Sequence, residues 1–331
     1  MPLGLGSIGC GGMARELAIT IRDRVPDARV VAGYDPYEPH RDRLCQEVGA
    51  APAASLEELL ARADVDAVLV ASPNFLHVEH VLAAAAAGKH VFCEKPMALT
   101  VADCDAMIAA CEKAGLKLMV GQSTRLLPSM LKLRALVASG ELGQPWHGFS
   151  RYWFTGFKQR GSGVWHVERA RCGGLFHQMA IHHIDLFHAV FGPARRVQYA
   201  GGHYGTQIVD FDDIASILVD YDSGATAVIS VSGVAPVDVN EIAVLFSNGY
   251  AHTQDPYGQL GFGADREHCV VAKGDDLPSP GGVTLELSSF VRWVQHGEAP
   301  VMTAAEGRAA VAVAEAARRA EETGGPVEIA G

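Results

Sequence analysis

Between residues 3 and 120, short apolar runs alternate with stretches whose apolar positions recur at helical spacing. Residues 3–8 form an apolar run that ends in glycines, and 13–24 predicts a helix. A second run, 29–34, ends at Asp35. Ser55-Leu56-Glu57-Glu58 has the form of a capping box, the signature of a helix start. Residues 67–71 are apolar without a break, as expected for a parallel strand buried on both faces. A helix over 77–87 is predicted to stop at Gly88, and 91–93 predicts a short strand. Thr100 to Asp103 reads as the cap of a helix that runs to Ala114 and stops at Gly115, and 118–120 closes the series. Strands alternating with helices across short turns predict a doubly wound parallel sheet. Its post-strand loops then gather along one edge, where ligands bind.

Beyond Gly121 the pattern changes. A helix is predicted over 128–139, followed by an aromatic and arginine-rich stretch from Trp146 to Arg171. An apolar, histidine-rich helix follows over 175–190. Strands are predicted at 214–221, 225–231 and 241–246, the first two joined by the turn Asp222-Ser223-Gly224. An alanine-rich helix over 304–322 ends before Gly324-Gly325. The fold class is therefore α/β, with a nucleotide-binding domain at 1–121 and an α+β substrate-binding domain at 122–331.

Composition agrees with a folded globular chain: 331 residues, 49% hydrophobic and 20% charged. The net charge of −11 argues against a nucleic-acid partner, which calls for a basic face. The N-terminus has no basic leader, and the alanine-rich run from Val81 to Ala87 is too short to span a bilayer, so no membrane partner is expected. Seven cysteines, with no C-x-x-C pair, suggest reduced core thiols in a cytoplasmic protein.

Two glycine fingerprints overlap at the start. Gly4, Gly6 and Gly9 fit G-x-G-x-x-G but leave only a three-residue strand before them. Gly9, Gly11 and Ala14 fit G-x-G-x-x-A between a strand and a helix, the setting in which the motif carries meaning. In that register Gly9 makes the tight turn and Gly11 admits a pyrophosphate. The helix N-terminus, from Gly12 and Met13, supplies amides to the anion. Asp35, at the end of the second strand, is placed to bind ribose hydroxyls and repel the extra phosphate of NADP, so NAD is favoured. Arg41 and Arg43 nearby keep NADP as the alternative.

Residues 65–96, VDAVLVASPNFLHVEHVLAAAAAGKHVFCEKP, resemble the glucose–fructose oxidoreductase / inositol dehydrogenase / MocA family. So do Gly121-Gln122-Ser123-Thr124-Arg125 and the segment from Gly173-Gly174 to His182 and Asp185. The resemblance implies a Rossmann domain, then a domain with a large, mostly antiparallel open sheet, in a homodimer or homotetramer. It places Ser72, Pro73, Asn74, His77, Glu94, Lys95 and Gln122 at the cofactor. It also makes Lys95 the catalytic lysine, commonly followed by a cis proline, here Pro96. Chemistry supports that role independently, because hydride loss from an alcohol needs a group that accepts the hydroxyl proton.

His182 matches the family's catalytic histidine. On one α-helix Gln178, His182 and Asp185 would share a face. Gln178 stands where the family usually has an acid, and an amide can orient a hydroxyl but cannot hold a proton. That shifts acid–base work onto Lys95 and His182. Arg125, Trp165, His177, Gln178, His182 and Lys95 are the candidate substrate contacts. Tyr152, Trp153, Lys158, Arg160, His166, Arg169 and Arg171 add ring-stacking and anion-gripping chemistry. The histidine cluster has no metal-ligand motif, and His183 and His188 read as packed histidines. The expected activity is an NAD(P)-dependent dehydrogenase acting on a secondary hydroxyl of a sugar, cyclitol or related polyol. The alternatives are a dihydrodiol-type dehydrogenase acting on an aromatic carboxylate, a redox-neutral NAD-dependent glycosidase, and a non-catalytic NAD-binding regulator.

Overall fold

The computed structural model describes residues 1–156, 164–206, 208–254, 256–277 and 279–329. Contacts divide the chain into two units, Met1–Ser123 with Val283–Arg308, and Thr124–Gly282 with Ala309–Gly331. The first unit thus includes a late segment that a single division at residue 121 assigns to the second.

In the first unit the order is β1 (Leu3–Ile8), α1 (Gly12–Arg24), β2 (Ala28–Tyr34), α2 (Glu38–Val48), β3 (Ala51–Pro52) and α3 (Leu56–Ala61). Then come β4 (Ala67–Val70), α4 (His77–Ala86), β5 (His90–Glu94), α5 (Val101–Lys113) and β6 (Leu118–Gly121). The six strands lie in the order β3-β2-β1-β4-β5-β6 and every pair is parallel. β1, β4 and β6 are buried at every position, which is why they read as unbroken apolar runs. α1 presents Ala14, Leu17, Ala18 and Ile21 as one buried stripe. Ser55 caps α3 by accepting from the Glu58 amide, and Thr100 caps α5 by accepting from the Asp103 amide. Gly4 and Gly6 fall inside β1 and the helix opens at Gly12, so the fingerprint register is Gly9-x-Gly11-x-x-Ala14.

The second unit holds α6 (Pro128–Ser139), β7 (Pro145–Trp153), α7 (Arg169–Cys172), a π turn at Phe176–Ala180 and α8 (Ile181–Phe191). The strands β8 (Ala194–Gly202), β9 (Ile214–Tyr221), β10 (Thr226–Ser232), β11 (Val239–Phe246), β12 (Gly249–Thr253), β13 (Gln259–Gly263) and β14 (Cys269–Lys273) follow. α9 (Gly282–His296) packs in the first unit, where Phe290 meets Phe92 edge-on at 5.8 Å. α10 (Ala304–Thr323) and β15 (Val327–Glu328) complete the chain.

The nine-stranded sheet runs β14-β13-β12-β11-β7-β10-β9-β8-β15. It is antiparallel apart from the parallel pair β7/β10. Alternating residues of β9 and β10 are buried against one face, with Ile217, Val219, Ile229 and Val231 in the same core as Ile184, Phe187 and Phe191 of α8. At Gly148 on β7 an added Cβ would lie 2.7 Å from the Phe191 ring and 3.0 Å from Phe187, so α8 seats on β7 only because that position lacks a side chain. The expected fold class, a parallel Rossmann sheet followed by a mostly antiparallel one, is the fold observed.

Candidate active site

Because the first sheet is wholly parallel, the loops after β1, β2, β4, β5 and β6 open on one edge. That edge carries Gly9 to Met13, Asp35, Ser72 to Asn74, Glu94-Lys95 and Gln122. The order reverses between β1 and β4, the switch point at which open α/β sheets bind ligands. Gly9 has φ +87°, and its amide donates to the Tyr34 carbonyl at 2.8 Å. Ser7 Oγ donates to the Gly9 carbonyl at 2.7 Å and so braces the turn. A Cβ added at Gly11 or Gly12 meets nothing within 4 Å. No side chain caps α1, and no acid stands in its first turn. Free space in front of uncapped helix amides, with no competing carboxylate, fits the pyrophosphate of a dinucleotide.

Asp35 is fixed in place. One carboxyl oxygen accepts from the Cys10 amide at 2.8 Å and the other from the Tyr37 amide at 2.8 Å. A carboxylate has about four acceptor positions, so two remain for hydroxyl donors. Cys10 beneath it is buried, and burial together with the Asp35 charge pushes its thiol far above the usual range.

His77, expected at the cofactor, sits between two loops of this edge. It is 1% exposed; Nδ1 lies 2.8 Å from the Pro96 carbonyl and Nε2 2.9 Å from the Ser72 carbonyl. The ring thus lies between the loop after β4 and the loop after β5, and as a neutral imidazole it donates to one of the two carbonyls. Burial lowers its basicity, with the two carbonyls opposing. Ser72 Oγ meets His80 Nδ1 at 2.8 Å, a link not apparent in the sequence. The Lys95-Pro96 bond is cis. Glu94 is buried and one of its oxygens accepts from the Lys95 amide at 3.2 Å. Burial raises its carboxyl to about 7 against the pull of the lysine charge. Lys95 is half-buried, while Asn74 and Gln122 are buried.

In the second unit the helix of Gln178, His182 and Asp185 is not one continuous α-helix. The π turn inserts a wider turn before Ile181, so Gln178 leaves the α-helical phase of His182 and Asp185. Arg125 is a second correction. It is fully buried and grips Asp185 with Nε to Oδ2 at 2.7 Å and Nη2 to Oδ1 at 2.6 Å. Its guanidinium therefore holds α8 from within and does not face a ligand. His177, a candidate substrate contact, is buried, at 1% exposed. His183 is likewise packed: its Nε2 meets Asn240 Oδ1 at 3.1 Å, and burial lowers its pKa to about 4. His182, Gln178, Trp165 and His166 are half-buried.

Several members of the aromatic and arginine-rich stretch are bonded within the protein. Arg169 forms a two-pronged pair with Glu321 at 2.6 Å, and Arg171 lies 3.5 Å from Glu168. Trp153 donates to Ser230 Oγ at 3.3 Å. Tyr152 stacks on Phe154. Lys158 and Arg160 lie outside the described residues. A contact absent from the sequence reading joins Gln178 Nε2 to His166 Nδ1 at 3.0 Å, with the Trp165 ring beside the His166 ring and tilted to it by 32°. Among the described residues no group of three or more His, Cys, Asp or Glu could hold a metal ion, and no helix is long and apolar enough to cross a membrane.

A Rossmann sheet with an open glycine cradle, joined in one chain to a large mixed sheet, defines a dinucleotide-binding protein of two units. Residues 3–122 match the oxidoreductase family with an NAD-binding Rossmann fold, and residues 130–252 match the GFO/IDH/MocA C-terminal domain. The chain belongs to this family of NAD-binding oxidoreductases. It is 29% identical over 342 residues to the myo-inositol 2-dehydrogenase of Thermotoga maritima, covering 96% of each chain. It is 28% identical over 304 residues to the 2,7-anhydro-N-acetylneuraminate hydratase of Escherichia coli, covering 88% of this chain and 80% of that one. The crystal structure of an aldose-aldose oxidoreductase from Caulobacter crescentus, complexed with glycerol, superposes with a TM-score of 0.87 at 26% identity, covering 99% of this chain and all of that one.

Proposed function

We propose that this protein is an NAD-dependent dehydrogenase acting on a secondary hydroxyl, or the matching carbonyl, of a sugar, cyclitol or related cyclic polyol. The observation that carries the reading is the single sheet edge that bears the Gly9–Gly11 cradle, the fixed carboxylate of Asp35 and the Glu94-Lys95-Pro96 loop. Bound NAD would supply the hydride acceptor. Gly11, Gly12 and Met13 hold its pyrophosphate, Asp35 accepts from its ribose hydroxyls and disfavours the NADP phosphate, and Ser72 to Asn74, Glu94 and Gln122 line the remainder. Lys95 Nζ takes the proton of the reacting hydroxyl and returns it in the reverse direction, His182 is the second acid–base group, and Trp165 offers a face to the substrate ring. The relatives' names, an inositol dehydrogenase and an aldose oxidoreductase, support a polyhydroxylated substrate. A cytoplasmic homodimer or homotetramer is part of the same proposal.

The test is a screen at 340 nm with NAD or NADP against sugars, inositols, sugar acids and aromatic cis-diols. Reduction of NAD with one polyol class, abolished in Lys95→Ala while NAD binding is retained, is the expected result. An active alanine variant would overturn the lysine assignment. A hydratase among the relatives favours a second reading, a reaction without net redox change. It is supported if NAD binds tightly and products form with no net absorbance change.

A further inference from the structure

We infer that Arg41 is a specificity-determining residue for the cofactor, placed to take the 2′-phosphate of NADP, and that Glu38 and Asp42 are positioning residues that withhold it. The inference deepens the NAD reading and rests on it. The sequence leaves two arginines of α2, Arg41 and Arg43, near Asp35, and the structure separates them. Arg43 reaches Glu47, one turn towards the C-terminal end of α2, with Nε to Oε1 at 3.2 Å. Glu47 is also gripped by Arg15 of α1, at 2.7 and 2.8 Å. Arg41 turns the other way. Its Nε donates to Asp42 Oδ1 at 2.9 Å, and its Nη2 lies 3.6 Å from Glu38 Oε1, one turn towards the start of the helix.

The Arg41 side chain is packed against the protein, at 15% exposed, while Glu38 and Asp42 stand in solvent at 74% and 59%. What it packs over is the end of β2. Its charge reaches the thiols of Cys10 and Cys45, where it opposes the burial that raises both. Those two sulfurs flank Gly33 of β2: a Cβ added there would lie 3.0 Å from Cys45 Sγ and 3.3 Å from Cys10 Sγ. Cys10 belongs to the glycine loop itself, between Gly9 and Gly11, and its amide donates to Asp35 Oδ2 at 2.8 Å. The Arg41 amide donates to the Tyr37 carbonyl at 3.4 Å, and the Tyr37 amide donates to Asp35 Oδ1 at 2.8 Å. Arg41 and Asp35 therefore share the end of β2, where an acid reads the ribose hydroxyls of NAD or an arginine accommodates the phosphate of NADP.

The balance of charge there is negative: the carboxylates of Asp35, Glu38 and Asp42 stand against the guanidinium of Arg41. A 2′-phosphate meets repulsion from Asp35 and finds the N–H fork of Arg41 turned towards two acids of its own helix. Cofactor choice thus has two parts, an acid that repels the phosphate and an arginine kept from gripping it. Because Glu38 and Asp42 are mostly exposed, solvent screens their hold, which is worth a severalfold change in affinity and no more. Removing Asp35 alone should then bring NADP level with NAD, and releasing Arg41 as well should carry the preference over to NADP.

The test is calorimetric titration of the full chain with NAD and with NADP, read as the ratio of the two affinities. Starting from Asp35→Ser, the pair Glu38→Gln and Asp42→Asn should raise NADP affinity relative to NAD by about three- to tenfold. The gain should shrink when salt is raised from about 0.1 M to 1 M, where the screening length is about 3 Å. Arg41→Met added to the other three substitutions should abolish it. A ratio unchanged from Asp35→Ser overturns the hold by Glu38 and Asp42. A gain that persists with Arg41→Met overturns the role of Arg41, because loss of negative charge alone then accounts for it. Urea unfolding of each variant distinguishes these outcomes from loss of the fold. Failure of the wild type to bind NAD would instead refute the dinucleotide reading, on which neither ratio bears.

Discussion

Alanine at Gly9 and alanine at Gly11 separate what the glycine loop does for the fold from what it does for the ligand. At Gly9 the backbone has φ +87°, a region that costs an L-residue about 1–2 kcal/mol. The new Cβ would also lie 2.7 Å from the Ala71 carbonyl oxygen and 2.8 Å from Ala71 C and Ser72 N. These are backbone atoms next to β4, which cannot turn aside, and such overpacking adds about 1–3 kcal/mol. Gly9→Ala should therefore destabilise the first unit by about 2–5 kcal/mol. Gly11 has φ −71°, and its Cβ would enter open space. The stability change there should stay within about 1 kcal/mol. The same methyl occupies the space assigned to the pyrophosphate, so NAD affinity should fall at least tenfold, about 1.4 kcal/mol. Urea unfolding of the ligand-free protein and calorimetric titration with NAD read the two effects separately. Undiminished NAD affinity in Gly11→Ala would refute the placement of the dinucleotide, and wild-type stability in Gly9→Ala would refute the steric account of the turn.

Asp35→Ser removes the charge set against a 2′-phosphate. Wild type should bind NAD at least tenfold more tightly than NADP and the variant should lose most of that ratio; an unchanged ratio places the discriminating group elsewhere. Arg125→Met strands a fully buried Asp185 carboxylate and should cost about 3–5 kcal/mol in urea unfolding. Adding Asp185→Leu should return much of that loss, and a single variant as stable as wild type would deny the ion pair its role. His183 has its folded pKa lowered to about 4 by burial, below the unfolded value near 6.5. Between those values the unfolded chain binds the extra proton, so stability should fall as pH drops from 6.5 towards 4. His183→Gln should flatten that part of a melting-temperature profile, and an equally steep profile in the variant would show that other groups cause it.

The first unit was legible in the sequence because its strands are short and buried on both faces. Each reads as an apolar run bounded by a glycine or a cap, as at 3–8, 67–71 and Thr100 to Asp103. α2 is not legible in this way even though Pro39 and Gly49 bracket it, because it buries only Leu44 and Cys45 and so shows little apolar periodicity. The second sheet was harder. β7 and β8 carry tryptophan, tyrosine and arginine on a half-exposed face, which blurs the alternation that marks a strand.

By itself, the sequence determined the fingerprint register, the acid at the end of β2, the lysine before a proline and the class of both domains. These rest on local backbone chemistry and on periodicity, which neighbouring residues carry. Only the tertiary structure decided which polar groups are committed to each other. His77 is held by carbonyls at positions 72 and 96, Arg125 by a carboxylate 60 residues away, and Gln178 by His166 across a π turn. A side chain that bonds inside the protein and one that waits for a ligand look alike in a sequence, because burial and hydrogen-bond partners are set by parts of the chain that only folding brings together.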